Sequence, residues 1–169
     1  MIQARKNFTY FLSYYTNGKS TITELLLYLL GDYATTISPE SLAIKVNKDS
    51  RTASPDIAKL AGTRFVVASE PPRRMLFDSS LVKTLTGRDT VSARFLHENE
   101  FQFKPKFKLI LNSNYLPVIS DKTVFSSNRV KVVPFERHFT EKSKTKRLKE
   151  QLQQEIDGIL NWCIQGLSL

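Results

Sequence analysis

Cysteine is nearly absent from this chain. The sole one among 169 residues, Cys163, excludes an intramolecular disulfide and a cysteine-rich zinc site. Beside Trp162 in a helical stretch, it is expected to be a core thiol in a reducing cytoplasm. Long apolar runs are missing too. None approaches the roughly 20 residues needed to span a bilayer, and the N-terminus carries no signal-peptide pattern, so a soluble intracellular protein with no membrane partner is expected. The two histidines, His97 and His138, lack partners at ligand spacing, which argues against a protein-built metal site. There is no internal repeat and no low-complexity segment. Acid is in short supply: 16 Asp and Glu against 25 Lys and Arg leave a net charge of +9, which suits a polyanionic partner such as nucleic acid.

What is present suffices for one ordinary domain over residues 1–169, since 41% hydrophobic residues can bury a proper core. Its organising stretch runs from Tyr14 to Thr21 and ends in Gly18-Lys19-Ser20-Thr21. Such an ending marks a phosphate-binding loop: backbone N–H groups at a helix N-terminus point at phosphates, the Lys reaches their terminal oxygens, and the Ser hydroxyl holds Mg²⁺. The flanks agree, with a buried strand expected over Phe8 to Leu12 and a helix over Ile22 to Leu30. The pattern G-x-x-x-x-G-K-S/T is incomplete, however. Ser13 stands where it has Gly, and Tyr14, Tyr15 and Thr16 fill positions where bulky residues resist positive φ.

Downstream, Leu42 to Val46 is a short β-prone stretch. Ser54 to Gly62 has a cap residue, a Pro at the first helical position and a closing Gly, hence a short helix. Thr63 to Ala68 reads as a buried strand ending in Ser69-Glu70, which puts an acid where parallel sheets gather their sites. A helix is expected over Asp78 to Leu85, then a hairpin whose strands, Val91 to Phe95 and Phe101 to Phe103, flank a polar tip at Leu96 to Glu100. Phe107 to Leu111 is a strand leaving on Asn112-Ser113-Asn114, and Val130 to Val133 is the last strand. From Lys144 to Leu167, apolar residues recur at helical spacing, so one long helix should pack on the sheet with its Lys-rich start in solvent. Around the hairpin, Phe101, Phe103 and Phe107 alternate with Lys104, Lys106 and Lys108; the Phe should face the core and the Lys a single strand of DNA.

From Asn17 onward the chain resembles the superfamily 3 helicase domain of phage and plasmid primase-helicases. Carrying the resemblance are Asn17-Gly18-Lys19-Ser20-Thr21, Leu60-Ala61-Gly62, Val66 to Glu70, Leu85 to Asp89, Phe103 to Leu109, Asn114-Tyr115-Leu116-Pro117, Arg129 to Phe135 and Gly158 to Trp162. It implies an α/β fold: an AAA+-like P-loop NTPase core with a mostly parallel central sheet, a hairpin before the sensor strand and a C-terminal helix. It also implies ATP and Mg²⁺ as cofactors, with Asn17, Gly18, Lys19, Ser20 and Thr21 around the phosphates and Ser20 and Glu70 near the metal. Glu70 matches the acid that polarises the attacking water, and Asn114 the polar sensor of the γ-phosphate. Arg129 matches the basic residue offered to a neighbouring subunit. Implied partners are single-stranded DNA and further copies in a ring, a hexamer in the family. The hairpin from Ala93 to Lys104, with His97 near its tip, would move DNA through that ring. The setting implied is a bacterial or archaeal cytoplasm, or a virus-encoded protein.

The sequence departs from that pattern in several places. Ser69 stands where related ATPases often carry a second acid, Arg88 replaces a usual Gly, and Ser126-Ser127-Asn128 precede Arg129. Two functional classes are consistent with this. One is an ATP-hydrolysing DNA helicase domain; the other is a weakened remnant acting as a basic DNA-binding or ring-interaction module, its residues Met1 to Thr16 a replaced or misframed segment.

Overall fold

In the computed structural model the described residues are 8–13, 17–44, 54–87, 89–116, 118, 130–140 and 145–166. Seven strands and five α-helices alternate through them. The strands are β1 (Phe8–Leu12), β2 (Ala34–Thr36), β3 (Phe65–Ser69), β4 (Val91–Ala93), β5 (Phe101–Phe103), β6 (Lys108–Ser113) and β7 (Val130–Pro134). The helices are α1 (Lys19–Leu30), α2 (Pro55–Ala58), α3 (Ser79–Thr86), α4 (Leu148–Gln154) and α5 (Ile156–Gln165).

Five strands form one wholly parallel sheet in the order β2-β3-β6-β1-β7. Continuous apolar runs such as Phe65-Val66-Val67-Ala68 suit it, because strands covered on both faces have no polar side. Strand alternation then sorts these residues. Phe8, Tyr10, Val66, Ala68, Leu109 and Leu111 join the larger core, which Leu42, Leu60, Phe77, Val82 and Leu85 complete. Phe65, Val67 and Ile110 face the other way, against Leu26, Leu27 and Leu30 of α1. The result is a three-layer α/β unit with a mostly parallel central sheet.

β4 and β5 pair antiparallel as a separate hairpin with His97 at its exposed tip in a left-handed conformation (φ 62°). The aromatic residues behave as expected. Phe101 and Phe103 pack against the larger core and Phe107 is buried within it.

Asp78 caps α3, its carboxylate accepting the Leu81 N–H at 3.0 Å. Asp78→Ala should cost about 1 kcal/mol of stability, readable as a shift in a urea melt, with no change in any ligand affinity.

Three expectations are corrected. Of the β-prone stretch from Leu42 to Val46, Leu42 closes a 3₁₀ turn, Pro39–Leu42, and drops into the core, Ala43 makes an isolated antiparallel bridge to Phe77, and residues 45 and 46 lie outside the described set. The single C-terminal helix is two, broken at Glu155, and no residue of either is buried. α1 already covers the face that this segment would have packed on, so α4 lies against α1 instead, tied by Lys149 to Glu24 at 2.7 Å. Gly158, just past the break, weakens helix continuity there. Cys163, expected in the core, is half-buried.

Candidate phosphate-binding cleft

The C-terminal ends of β1, β3 and β6 are neighbours, so the turns leaving these strands converge on one edge of the sheet. Between them lies a cleft of about 490 Å³, lined by Asn17, Gly18, Lys19, Ser20, Thr21, Ser69, Glu70, Asn112, Ser113, Asn114 and His138. Open parallel sheets hold their ligands at such an edge.

Gly18 precedes α1 with φ 87°, a left-handed conformation that costs other residues energy, and its carbonyl already accepts the Ile22 N–H at 3.0 Å. The helix therefore starts abruptly, leaving the first N–H groups of α1 without intrahelical partners at the cleft. Lys19 is buried, and its Nζ lies 3.1 Å from Asn114 Oδ1 and 3.4 Å from both Asn17 Oδ1 and the Ser13 carbonyl. Every one of these acceptors is neutral. Burial pushes the Lys19 pKa down, and the Glu70 charge only partly offsets that. The ammonium is thus held at the cleft without a full counter-charge beside it.

Ser13, where the motif has Gly, is buried and adopts no positive φ; its N–H donates to the Ser113 carbonyl at 3.2 Å. It continues the pairing of β1 with β6, so a side chain is accommodated there. Tyr14, Tyr15 and Thr16 lie outside the described residues, as do Arg88 and 126–128.

Glu70 turns off the end of β3 with φ 56°, its N–H bonded to the Asn112 carbonyl at 2.9 Å. Glu70 lines the cleft, where its charge is felt by Lys19, and a non-glycine residue held at positive φ is a local strain of the kind found at functional sites. Asn114 leaves β6 on the same edge. The structure thus brings Asn17, Gly18, Lys19, Ser20, Thr21, Glu70 and Asn114 into one site, as the sequence order suggested.

Asn112, Ser113 and His138 also line the cleft, and the motif reading missed all three as site residues. Asn112 is buried, and its Nδ2 donates to Thr23 Oγ1 at 3.0 Å and Ser69 Oγ at 3.2 Å. It ties α1, β6 and the end of β3 together. The signal was available: Asn112 is a polar residue ending an apolar run, two residues before Asn114.

The residues expected on DNA lie elsewhere. His97, Lys104, Lys106 and Lys108 do not line the cleft. Lys104 and Lys106 are exposed, whereas Lys108 is half-buried at the opposite end of β6 from Ser113, its pKa lowered by burial and then by the charge of Lys131. Arg129 lies outside the described residues.

Residues 13–147, which include every cleft residue, match a family described as of unknown function, DUF5906. The chain belongs to the DUF5906 family. The match starts at residue 13, ahead of the point where the motif resemblance begins. This DUF5906 domain is 37% identical over 136 residues to "Putative helicase L207/L206" of Acanthamoeba polyphaga mimivirus, covering 80% of this chain and 14% of that protein. It is 35% identical over 127 residues to "Putative helicase 022R" of Frog virus 3 (isolate Goorha), covering 73% of this chain and 13% of that one. It therefore spans about a seventh of these relatives. Among solved structures, the apo C-terminal region of NrS-1 is similar over 91% of this chain and 35% of that one, with a TM-score of 0.68 and 18% identity. At that identity the likeness concerns the fold. By sequence this domain is thus related to a segment of viral proteins that carry the name putative helicase.

Proposed function

We propose that this domain is a P-loop ATPase of the superfamily 3 helicase type, which hydrolyses ATP to move along single-stranded DNA during replication of a virus, phage or plasmid. One observation carries the reading. Lys19 is a buried ammonium surrounded by neutral acceptors, at the start of a helix entered through a left-handed Gly18, with Glu70 and Asn114 converging from β3 and β6. Such a site offers an ammonium hydrogen-bonded to neutral oxygens together with helix N-terminal donors, which is what a chain of phosphates needs.

In this reading the N–H groups of Gly18 to Thr21 and the Lys19 ammonium bind the phosphates and stabilise charge developing on the transferred one. Glu70 takes a proton from the attacking water, and Asn114, already hydrogen-bonded to Lys19, orients that water against the terminal phosphate. Mg²⁺ carried by the nucleotide would be held by the Ser20 hydroxyl with Glu70 near it, and would neutralise phosphate charge. Arg129 is assigned to the nucleotide of the next subunit in a ring of copies. His97, Lys104, Lys106 and Lys108 are assigned to DNA; the exposure of His97, Lys104 and Lys106 supports this, and Lys108 sits close enough to Lys131 to gain from a phosphate between them.

The test is ATP hydrolysis by the chain with and without single-stranded DNA, beside DNA affinity against salt. Stimulated hydrolysis is expected, together with a steep fall of affinity with salt that flattens by roughly 0.7 in log–log slope for each of Lys104, Lys106 or Lys108 replaced by Ala. DNA binding without nucleotide binding or hydrolysis would overturn the ATPase reading and leave a basic DNA-binding module. A salt-independent affinity would remove the lysines from the interface.

A further inference from the structure

Resting on the nucleotide reading of the cleft, we infer that His138 is the nucleobase contact of this site, stacking its imidazole on the base while the phosphates lie on residues 17–21. The sheet order sets the direction. β1 enters the phosphate loop with β6 and β3 on one side and β7 on the other. Glu70 and Asn114, the groups suited to the terminal phosphate, both come from the β3 and β6 side. A nucleotide whose last phosphate points that way must send its nucleoside toward the side of β7, and the chain leaving β7 brings His138 to the wall of the cleft.

That segment is held to the loop it serves. The Phe135 N–H donates to the Leu12 carbonyl at 2.8 Å, the Phe135 carbonyl accepts from Asn17 Nδ2, and the Phe135 ring packs on Phe11 with centroids 5.0 Å apart. Asn17 thus grips Phe135 with its amide nitrogen and lies near the Lys19 ammonium with its amide oxygen, so the phosphate side and the β7 side share one side chain. Beyond Phe135, the Arg137 guanidinium lies 5.1 Å from the Phe139 ring centroid. Arg137 and Phe139 are thus engaged with each other, and His138 between them lines the cleft.

Chemistry points the same way. Of the eleven described residues lining the cleft, His138 alone has a ring. The others are hydroxyls, amides, a carboxylate, an ammonium and a glycine, which bind phosphate, metal and water but offer a base no flat face. Stacking on an exposed aromatic face tolerates any base, so this contact favours nucleotide over bare polyphosphate and discriminates weakly between ATP and GTP.

Calorimetric titration of the chain with Mg-ATP, Mg-GTP and Mg-tripolyphosphate tests this, since tripolyphosphate has the charge but no base. His138→Ala should weaken ATP and GTP alike, on the order of 10-fold, and leave tripolyphosphate within about twofold. His138→Phe should restore most of the nucleotide affinity, because it keeps the flat face without the polar edge. Equal weakening of ATP and tripolyphosphate would overturn the inference by making His138 a phosphate or folding residue, and so would no change in either. Tripolyphosphate binding to the unaltered chain keeps these failures separate from the phosphate-site reading. If the chain binds neither tripolyphosphate nor ATP, both readings fall together.

Discussion

Glu70→Gln is expected to lower steady-state ATP turnover by about 10²- to 10⁴-fold while ATP affinity changes by no more than a few-fold. Gln keeps the shape and reach of Glu, and the backbone that aims it is held independently of the side chain, by the bond from the Glu70 N–H to the Asn112 carbonyl. The phosphate cradle at Gly18 to Thr21 is untouched. What disappears is the negative charge and the proton acceptor, both of which act only as the water attacks. Because the side chain is exposed, the melting curve should stay within about 0.5 kcal/mol of the parent. Matched losses in binding and turnover, measured by calorimetry and phosphate release, would remove Glu70 from the role of base.

Lys19→Met should act in the opposite way, abolishing affinity before chemistry. The variant is expected to lose on the order of 10²- to 10³-fold in Mg-ATP affinity, because a desolvated cation facing phosphate is among the costliest groups to delete from an interface. The same change should leave the unliganded protein no less stable, since the ammonium is buried among neutral acceptors and its pKa is lowered. The sign with pH can be worked out from that shift. Unfolded Lys19 keeps its proton up to about the ordinary lysine value of 10.5, whereas the folded side chain releases it earlier. Between the two values the unfolded state binds more protons, so the Lys19 contribution to stability rises with pH across that window and is constant, and unfavourable, below it. Tyr10 opposes this at the alkaline end, as burial raises its pKa and stability should then fall with pH. Subtracting the Lys19→Met stability from the parent's in urea melts from mildly alkaline pH up to 10.5 isolates the lysine. Parental ATP affinity in Lys19→Met would refute the assignment.

Much of the sheet was legible because a parallel strand covered on both faces tends to be a continuous apolar run, although the short edge strand β2, Ala34-Thr35-Thr36, was not read as one. Phe65 to Ala68 is recognisable on that ground alone and Phe8 to Leu12 nearly so, whereas Val130 to Val133 carries Lys131 and is mostly exposed as the edge strand β7. Likewise legible were the residues that leave those strands, since an acid after β3 and an amide after β6 have nothing in a core to satisfy them. The failures share a cause. Leu42 and the C-terminal apolar series were assigned partners from their own periodicity, but the faces available to them were settled by others: α1 already held one side of the sheet. His138 is the extreme case. Nothing in its immediate sequence neighbourhood points to the cleft, and its place there depends on β7 lying beside β1, a pairing made across most of the chain.

That pairing has a consequence for how the protein is made. Among the strands of the sheet β1 is synthesised first and occupies an interior position, yet Phe8 faces Leu109 and Val130, roughly 100 and 120 residues later. At about 5–20 residues per second, its two edges wait on the order of 10 s for the strands that will cover them. Throughout that interval Phe8-Thr9-Tyr10-Phe11-Leu12 is a short, uncharged, aromatic segment with open backbone on both sides, the kind that pairs with a neighbouring nascent chain. Yield in a cell should therefore respond to chaperone supply and to translation speed after residue 12 more than to the equilibrium stability of the finished fold.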